Sequence, residues 1–372
     1  MNKKPRHPTT RRNFLSRTAT SGLLLALGRA PTTNAEPTPA PPSTPPPPTL
    51  SLSTPSLSTS PTVLPANFLN PPDSPIHALL HAIPLPRMVP IETTFERPTL
   101  SDIPAAFLAE LRASRVLNSI RPGMSIAVGA GSRGIANLPL VTRLLIDELK
   151  RAGAHPFVFP AMGSHGGATA DGQIAVLARM GFTEEKIGAP IRATMDVVQV
   201  GVTPSGLPAY VDALAAAADG IIVINRIKPH TSFRGKIESG LGKMIVIGVG
   251  KQKGAETCHA LGYARMEENL LALCHATLAS GKILFGIGLI ENAYHETSQI
   301  AVVPARNIEA REPELLETAR RLMPVVPIHN LDVLLIDEVG KNISGVCFGK
   351  SRRRSAAQSA HQGCRAGGGD GF

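Results

Sequence analysis

The chain has 372 residues, and its 38 Lys and Arg against 28 Asp and Glu give a net charge of +10. Residues 1–35 contain seven basic and no acidic residues, and residues 346–372 contain five basic and one acidic residue, so the region between them is almost neutral. This region lacks the basic surface typical of nucleic-acid binding, and a chain with no Trp and only 4% aromatic residues also argues against base stacking.

The cysteines exclude two classes of stabilised small domain. Two of the four cysteines lie in the basic C-terminal stretch, which leaves Cys258 and Cys274 in the body of the chain. Two widely spaced cysteines predict neither a disulfide framework nor a structural zinc site, which needs paired ligands.

The N-terminal residues 1–35 have the pattern of an export signal. Arg11-Arg12-Asn13-Phe14-Leu15 precedes a short apolar run and a small-residue cleavage site near Ala35, a pattern typical of twin-arginine signal peptides. We therefore expect export by the twin-arginine translocase to the periplasm or the extracellular space, with no membrane span. The alternative is a disordered basic extension or a misassigned start, in which case the protein would be cytoplasmic. Residues 36–84, rich in Pro, Ser and Thr, predict a disordered linker.

The body of the chain alternates segments with strand and helix patterns. This alternation predicts an α/β fold with an open, mainly parallel sheet and flanking helices. The predicted strands are Ser125–Val128, Pro156–Phe159, Asp219–Ile227, Ile283–Ile290 and Leu331–Ile336, and the predicted helices are 138–152 with Asn137 as N-cap, Asp171–Met180, Glu267–Leu278 and Glu309–Leu322.

We divide the body into two parts followed by a tail. Residues 85–300 are expected to form the main domain, and residues 301–345 the truncated beginning of a second, smaller α/β lobe. Residues 346–372 contain Arg352-Arg353-Arg354 and three consecutive glycines but no apolar periodicity. They are interpreted either as a disordered basic interaction tail or as out-of-frame sequence.

Glycine-rich segments with basic and imidazole side chains follow several of the predicted strands. Residues 129–134 fit GxGxxG, but the acidic residue that a dinucleotide fold places after the second strand is missing. Arg133 is suitably placed to bind a carboxylate or phosphate. His165 and His230 follow apolar runs, and the carboxyl ends of strands are where open α/β sheets build their sites.

Four sequence blocks together resemble a known family. GSRG at 131–134, GSHGGAT at 163–169, KPHTSFRGKIESGLGKM at 228–244 and KQKGAETCH at 251–259 occur in the order found in the lactate racemase family. The resemblance covers most of residues 85–300. Members of this family use a nickel-pincer nucleotide, which separate cofactor-synthesis enzymes supply.

The resemblance implies a role for each of five residues. Lys243 corresponds to the lysine that is covalently joined to the cofactor, and His259 to the nickel ligand. His165 and His230 correspond to the acid/base pair, and Arg133 to the residue that binds the substrate carboxylate. The implied activity is racemisation or epimerisation of a small 2-hydroxy acid by proton-coupled hydride transfer to the nickel-pincer nucleotide. Imidazole is a good nickel ligand and a good proton-transfer group at neutral pH, which explains the residue types.

The chain also departs from the family pattern. Ala130 stands where the racemases have an acidic residue three positions before the arginine, and the segment between His230 and Lys243 is a few residues longer. Two other functions therefore remain open. One is a non-catalytic exported binding protein for a small carboxylate or sugar acid. The other, a metal-dependent hydrolase, is disfavoured because no carboxylate accompanies the histidines at ligand spacing.

Overall fold

The computed structural model describes residues 91–260, 262–326, 328 and 333–335. The predicted signal peptide, linker and C-terminal tail lie outside these residues. Most of the predicted strand Leu331–Ile336 also lies outside them, and its described part, residues 333–335, has no regular secondary structure.

A five-stranded sheet forms the centre of the described domain. Its strands are β1 (Ser125–Ala130), β2 (His155–Pro160), β5 (Gly220–Arg226), β6 (Ile283–Glu291) and β7 (Thr297–Pro304), in the spatial order β2-β1-β5-β6-β7. The pairs β2-β1, β1-β5 and β5-β6 are parallel, and β6-β7 is antiparallel. The predicted mainly parallel α/β sheet is therefore confirmed.

The strands are apolar on both sides because helices cover both faces of the sheet. In β5, Ile221 and Val223 pack into the core on one face, while Ile222 and Ile224 pack into the core on the other. All four side chains are fully buried. A run of β-branched residues without alternation is typical of such a strand, which explains why this strand could be predicted from the sequence.

The helices flank this sheet, and a small second sheet lies beside it. The second sheet is an antiparallel pair, β3 (Val197–Val202) and β4 (Pro208–Asp212). The helices are α1 (Ile103–Ser114), α2 (Leu138–Arg151), α3 (Ala170–Arg179), α4 (Glu184–Ile187), α5 (Ala213–Ala217), α6 (Leu241–Lys243), α7 (Lys251–His259), α8 (Met266–Ala279) and α9 (Ile308–Leu322). A π-helical segment, Met244–Val249, connects α6 to α7. No helix among the described residues is both long and apolar enough to cross a membrane.

The start of α2 differs from the expected capping arrangement. Asn137 occupies the N-cap position, but its backbone is left-handed, with φ of 61°, and its side chain makes no capping hydrogen bond. Instead its Nδ2 donates to Thr297 Oγ1 at 2.9 Å. The residue therefore ties the start of α2 to β7, because a contact with a distant strand has replaced the local cap.

The predicted domain boundary at residue 300 falls within a strand. Strand β7 runs from Thr297 to Pro304 and pairs with β6 along its whole length. Leu315 and Leu316 of the following helix α9 are buried in the same core as β5 residues Ile221 and Val223. In the described structure, residues 297–322 therefore complete the main sheet and one of its helical layers.

Candidate active site

The candidate site residues lie at the point where the order of the strands in the sheet reverses. After β1 the chain moves outward to β2, whereas β5 lies on the other side of β1 and leads to β6. Loops that leave the carboxyl ends of β1 and β5 therefore diverge and open a crevice between them. This is the usual position of ligand sites in open α/β sheets.

A cavity of about 310 Å³ occupies this crevice. All five residues that the sequence singled out lie on its wall, although they come from four separate segments of the chain: Arg133, His165, His230, Lys243 and His259. Arg133 follows β1, His165 follows β2 and His230 follows β5, while Lys243 ends α6 and His259 ends α7. The structure thus brings the predicted residues together, and their chemical roles stay predictions.

The loop carrying His165 is shaped by glycine. Gly166 has φ of +67°, and a Cβ at this position would lie 2.6 Å from the backbone carbon of Gly172, so no other residue fits without a shift. Gln173 of α3 is fully buried and its Nε2 donates to the carbonyls of Gly163, at 2.8 Å, and His165, at 3.2 Å. Both ends of the short loop are therefore held on α3.

His165 contacts a hydroxyl group through one ring nitrogen. Its Nδ1 is hydrogen-bonded to Ser132 Oγ, which belongs to the loop after β1. A serine hydroxyl either donates or accepts, so this contact is compatible with Nδ1 in its protonated or its unprotonated form. His165 itself is exposed at the cavity edge.

His230 is held in one tautomer. The backbone N–H of Ser232 donates to its Nδ1 at 3.1 Å, so Nδ1 is an acceptor and the proton of the neutral ring is on Nε2. The ring packs against Phe233 at 4.4 Å between centroids. Burial, followed by the positive charges of Lys243 and Lys228, lowers the pKa of His230 to about 3. His230 is therefore a neutral imidazole at physiological pH in the ligand-free chain.

Lys243 lies at the end of α6, immediately before the π-helical segment. Burial lowers its pKa to about 8, with the charge of Arg133 acting in the same direction. At neutral pH about a tenth of the Lys243 amine is therefore uncharged, far more than for an exposed lysine. A neutral amine is the nucleophilic form, so this residue is suited to forming a covalent bond. π-Helical turns of this kind often occur at functional sites.

His259 is oriented by its own helix. Its Nδ1 lies 2.6 Å from the carbonyl oxygen of Ala255, and because a carbonyl only accepts, Nδ1 carries the proton. The lone pair of the neutral ring is then on Nε2. This is the arrangement in which the backbone orients a histidine for metal binding.

The wall of the cavity is basic: Arg133, Arg226, Lys228 and Lys243 line it, and no described Asp or Glu does. Glu291, behind the wall, forms an ion pair with Arg226. Burial lowers the pKa of Lys228 to about 8, and the charges of Arg226, Lys243 and Arg133 act in the same direction, while Glu291 partly opposes them. Such an excess of cations favours an anionic ligand.

The protein alone offers no complete metal site in this part of the chain. Across the described residues, no group of three His, Cys, Asp or Glu side chains is placed to hold a metal ion. The nickel-ligand role of His259 stays a prediction.

Sequence reasoning missed several residues that shape the cavity. Ser132, Gln173 and Lys228 touch the site or its loops, yet none was assigned a role. Lys228 could have been predicted, because residues two positions apart in an extended segment lie on the same side, and His230 was already assigned to the site. Gln173 had none, since a single polar residue in an amphipathic helix does not identify its distant partners.

Comparisons with known proteins agree with the motif-based expectation at the level of the domain. Residues 101–270, somewhat less than half of the chain, match the family model of the lactate racemase N-terminal domain. The comparison with curated protein sequences gave no match. Among solved structures, the lactate racemase apoprotein from Thermoanaerobacterium thermosaccharolyticum aligns with 15% identity and a TM-score of 0.46.

That alignment covers 59% of this chain and 56% of the racemase, so the chain spans a little over half the length of the solved protein. Residues 101–270 of this chain are thus similar to the lactate racemase N-terminal domain.

Proposed function

We propose that the protein is a racemase or epimerase of a small 2-hydroxy acid that works with a nickel-pincer nucleotide. The observation that carries this proposal is the convergence of Arg133, His165, His230, Lys243 and His259 on one basic cavity. Each corresponds by motif to a functional residue of the lactate racemase family.

The residues present suit such a cofactor. The cavity has uncompensated cations for phosphate and carboxylate groups, and Lys243 has a partly neutral amine for a covalent bond. The Nδ1 proton of His259 is directed at the Ala255 carbonyl, which leaves Nε2 as the nitrogen that would bind the metal of the cofactor. When bound, the nickel-pincer nucleotide supplies a reversible hydride acceptor.

The chain's own residues would orient the substrate and transfer its hydroxyl proton. Arg133 would bind the substrate carboxylate through its planar guanidinium group. His230 is neutral, as a base must be, but its Nε2 carries the proton and its Nδ1 accepts the Ser232 N–H. It would therefore act as a base only after a change of tautomer that breaks this bond. His165 contacts Ser132, whose hydroxyl adapts to either protonation state, so His165 is suited to the opposite role.

The decisive experiment measures covalent cofactor and nickel in the full chain co-expressed with the cofactor-synthesis enzymes. Intact mass should show an adduct in the wild type that Lys243→Ala abolishes, and elemental analysis should show nickel. The His259→Ala variant should keep the organic adduct but retain less nickel. Lys236→Ala, which changes an exposed lysine of the neighbouring loop, is the matched control and should behave as wild type.

The opposite outcomes discriminate between functions. Equal nickel content in the wild type, Lys243→Ala and His259→Ala variants would refute both residue assignments. Absence of any adduct from the wild type, together with saturable binding of a small carboxylate that Arg133→Ala weakens, would instead identify the non-catalytic binding protein.

A further inference from the structure

Helix α9 lies beyond the region that matches the racemase domain, yet it contacts the candidate site at two points. The family-model match ends at residue 270, whereas α9 spans Ile308–Leu322. Glu312 and Arg320 are eight residues apart on this helix, which corresponds to about 12 Å along its axis. Each reaches a different segment of the cavity wall.

Glu312 holds the turn that precedes Lys243. Its side chain is only 1% exposed, and its Oε2 accepts a hydrogen bond from the backbone N–H of Gly242 at 2.7 Å. The carboxylate also occupies the space beside Gly240, where a Cβ would lie 2.0 Å from Oε1. Gly240 is thus required for the backbone to pass so close to the buried carboxylate, whereas a Cβ at Gly242 would instead meet Ile237 Cδ1 at 2.6 Å.

The burial of Glu312 has a cost that its local contacts do not fully offset. Its Oε1 is buried without a hydrogen-bond partner, and burial raises the pKa of Glu312 to about 7. A hydrophobic side chain would avoid this cost but would leave the Gly242 N–H unsatisfied. The group therefore has a specific task at this position, which is to fix the backbone that carries Lys243.

Arg320 acts on the His230 segment through a second carboxylate. Its Nη2 donates to Glu238 Oε1 at 2.6 Å and to the Gly235 carbonyl at 3.2 Å. The side chain of Glu238 is fully buried, and its Oε2 accepts the backbone N–H of His230 at 2.6 Å. A continuous chain of hydrogen bonds therefore runs from α9 through Glu238 to His230.

We propose that Glu312 and Arg320 are positioning residues of the site, Glu312 for Lys243 and Arg320 for His230. This inference rests on the proposed function, because the positions of Lys243 and His230 are important only if these residues have the proposed roles. Neither residue lines the cavity. Each acts through the backbone of another segment, so its loss should change the behaviour of a site residue that it does not touch.

The first test follows the reactivity of the Lys243 amine in the full chain without added cofactor. Competitive lysine acylation as a function of pH, read by peptide mass spectrometry, gives the pKa of Lys243. Glu312→Gln places an NH₂ group either against the Gly242 N–H or at the buried Oε1 position beside Gly240, where the described residues supply no acceptor, so the turn should open and expose Lys243 to water. Its pKa should then rise from about 8 towards 10.5, and its acylation at pH 8 should fall roughly tenfold or more.

The matched control is Glu314→Gln, which makes the same charge change at an exposed position of α9. It should leave the Lys243 profile unchanged. A Glu312→Gln profile that coincides with the wild type would overturn the assignment of Glu312. Should Glu312→Gln fail to fold, hydrogen exchange of the Gly242 amide in the wild type decides, because fast exchange would show that the bond to Glu312 is not held.

The second test follows the backbone amide of His230 by hydrogen exchange. Arg320→Gln should leave Glu238 without its strong partner and accelerate exchange of the His230 amide by about tenfold or more, since a charge-assisted bond is lost. Arg320→Lys should restore part of the protection. Arg321→Gln, which changes an exposed neighbour, is the control. Equal exchange in Arg320→Gln and Arg321→Gln would overturn the assignment of Arg320.

These measurements are independent of catalysis. A chain that has no racemase activity but shows both effects retains the positioning roles and loses the proposed function. The opposite result is an active, cofactor-loaded racemase whose turnover number is unchanged by Glu312→Gln and Arg320→Gln. It would refute the positioning roles and leave the proposed function standing.

Discussion

At the scale of single residues, the two histidines of the proposed acid/base pair, His165 and His230, differ in the partner of Nδ1. In His230, Nδ1 accepts a hydrogen bond from a backbone N–H, which can only donate. In His165, Nδ1 contacts a serine hydroxyl, which can either donate or accept. Protonation of His230 at Nδ1 would break its bond to Ser232, so the resting site is asymmetric although racemisation requires both residues to act in turn.

We predict that each histidine is needed for turnover of both enantiomers. His165→Ala or His230→Ala should lower the turnover number of the cofactor-loaded protein roughly 10²- to 10⁴-fold, the usual contribution of a positioned proton-transfer group. The double variant should be little worse, because the two act as a unit. Chiral chromatography of the products measures this.

His155→Ala is a suitable control, since His155 is exposed at the opposite, amino-terminal end of β2. Arg133→Ala should mainly raise KM, through loss of the carboxylate contact. Near-normal turnover by His230→Ala would contradict the acid/base assignment.

The cavity lysines predict a pH dependence of stability. Burial lowers the pKa of both Lys228 and Lys243 to about 8 in the folded chain, below the 10.5 expected when unfolded. Between these pH values the unfolded state binds more protons, so both residues make the free energy of unfolding rise as pH increases from about 8 to 10.5.

Urea unfolding at pH 7.5 and 10 should therefore show a smaller pH-dependent gain for Lys228→Met than for the wild type. Below pH 8, Lys228→Met should be the more stable of the two, because the variant removes a buried charge. Identical pH dependence in both proteins would contradict the burial of a charged Lys228.

At the scale of elements, the first residue of α7 links four parts of the fold. Lys251 is fully buried, and its Nζ donates to the Pro160 carbonyl at the end of β2 and to Gln173 Oε1 of α3. It also lies 3.4 Å from Asp212 Oδ2 at the end of β4. Through Gln173 the same network reaches the His165 loop.

We predict that Lys251→Met lowers the free energy of unfolding by about 3 kcal/mol, because it leaves the Asp212 carboxylate buried without a cation. The double variant Lys251→Met with Asp212→Leu should recover part of this loss, since replacing both charges removes the desolvation cost as well. Lys253→Met, at an exposed position two residues away, should have little effect. Urea unfolding measures all three, and equal losses in Lys251→Met and Lys253→Met would contradict the prediction.

The elements differ in how far their sequence predicts them. Strand β5 and helix α2 follow from local patterns, a β-branched run and an amphipathic repeat, because burial on two faces or one face imposes those patterns. The π-helical segment 244–249 has no such signature, since its short apolar run fits a strand as well as a helix. The Asn137 cap failed for a related reason, because a contact with Thr297 outcompeted the local hydrogen bond.

The same distinction applies to the site. Arg133, His165 and His230 could be predicted as site residues because the ends of the strands bring them to one edge of the sheet. The prediction of Lys243 and His259 depended on the family resemblance. The roles of Glu238 and Glu312 could not be predicted, because the sequence of a charged helix or loop does not distinguish a buried glutamate from an exposed one. Only the three-dimensional packing shows that both are hydrogen-bonded to site backbone.

At the scale of the whole molecule, the N-terminal residues predict export. Arg11→Lys combined with Arg12→Lys should retain the full-length protein in the cytoplasm without cleavage, because the twin-arginine translocase reads the paired arginines. Cell fractionation and intact mass measure this. Arg17→Lys, the next arginine along the chain, is the control, and processing near Ala35 in the doubly substituted protein would contradict the signal assignment.

The carboxylate-free cavity has a consequence for how the protein is made. The positive charges of Arg226, Lys243 and Arg133 add to burial in lowering the pKa of Lys228, so a well-placed anion would relieve part of this repulsion. Maturation and folding are then thermodynamically linked. A ligand present at a hundred times its Kd adds about 2.7 kcal/mol to the free energy of unfolding. If the proposed cofactor binds, newly made chains that acquire it should consequently resist proteolysis better than those that do not, and the cellular supply of cofactor would set how much protein accumulates.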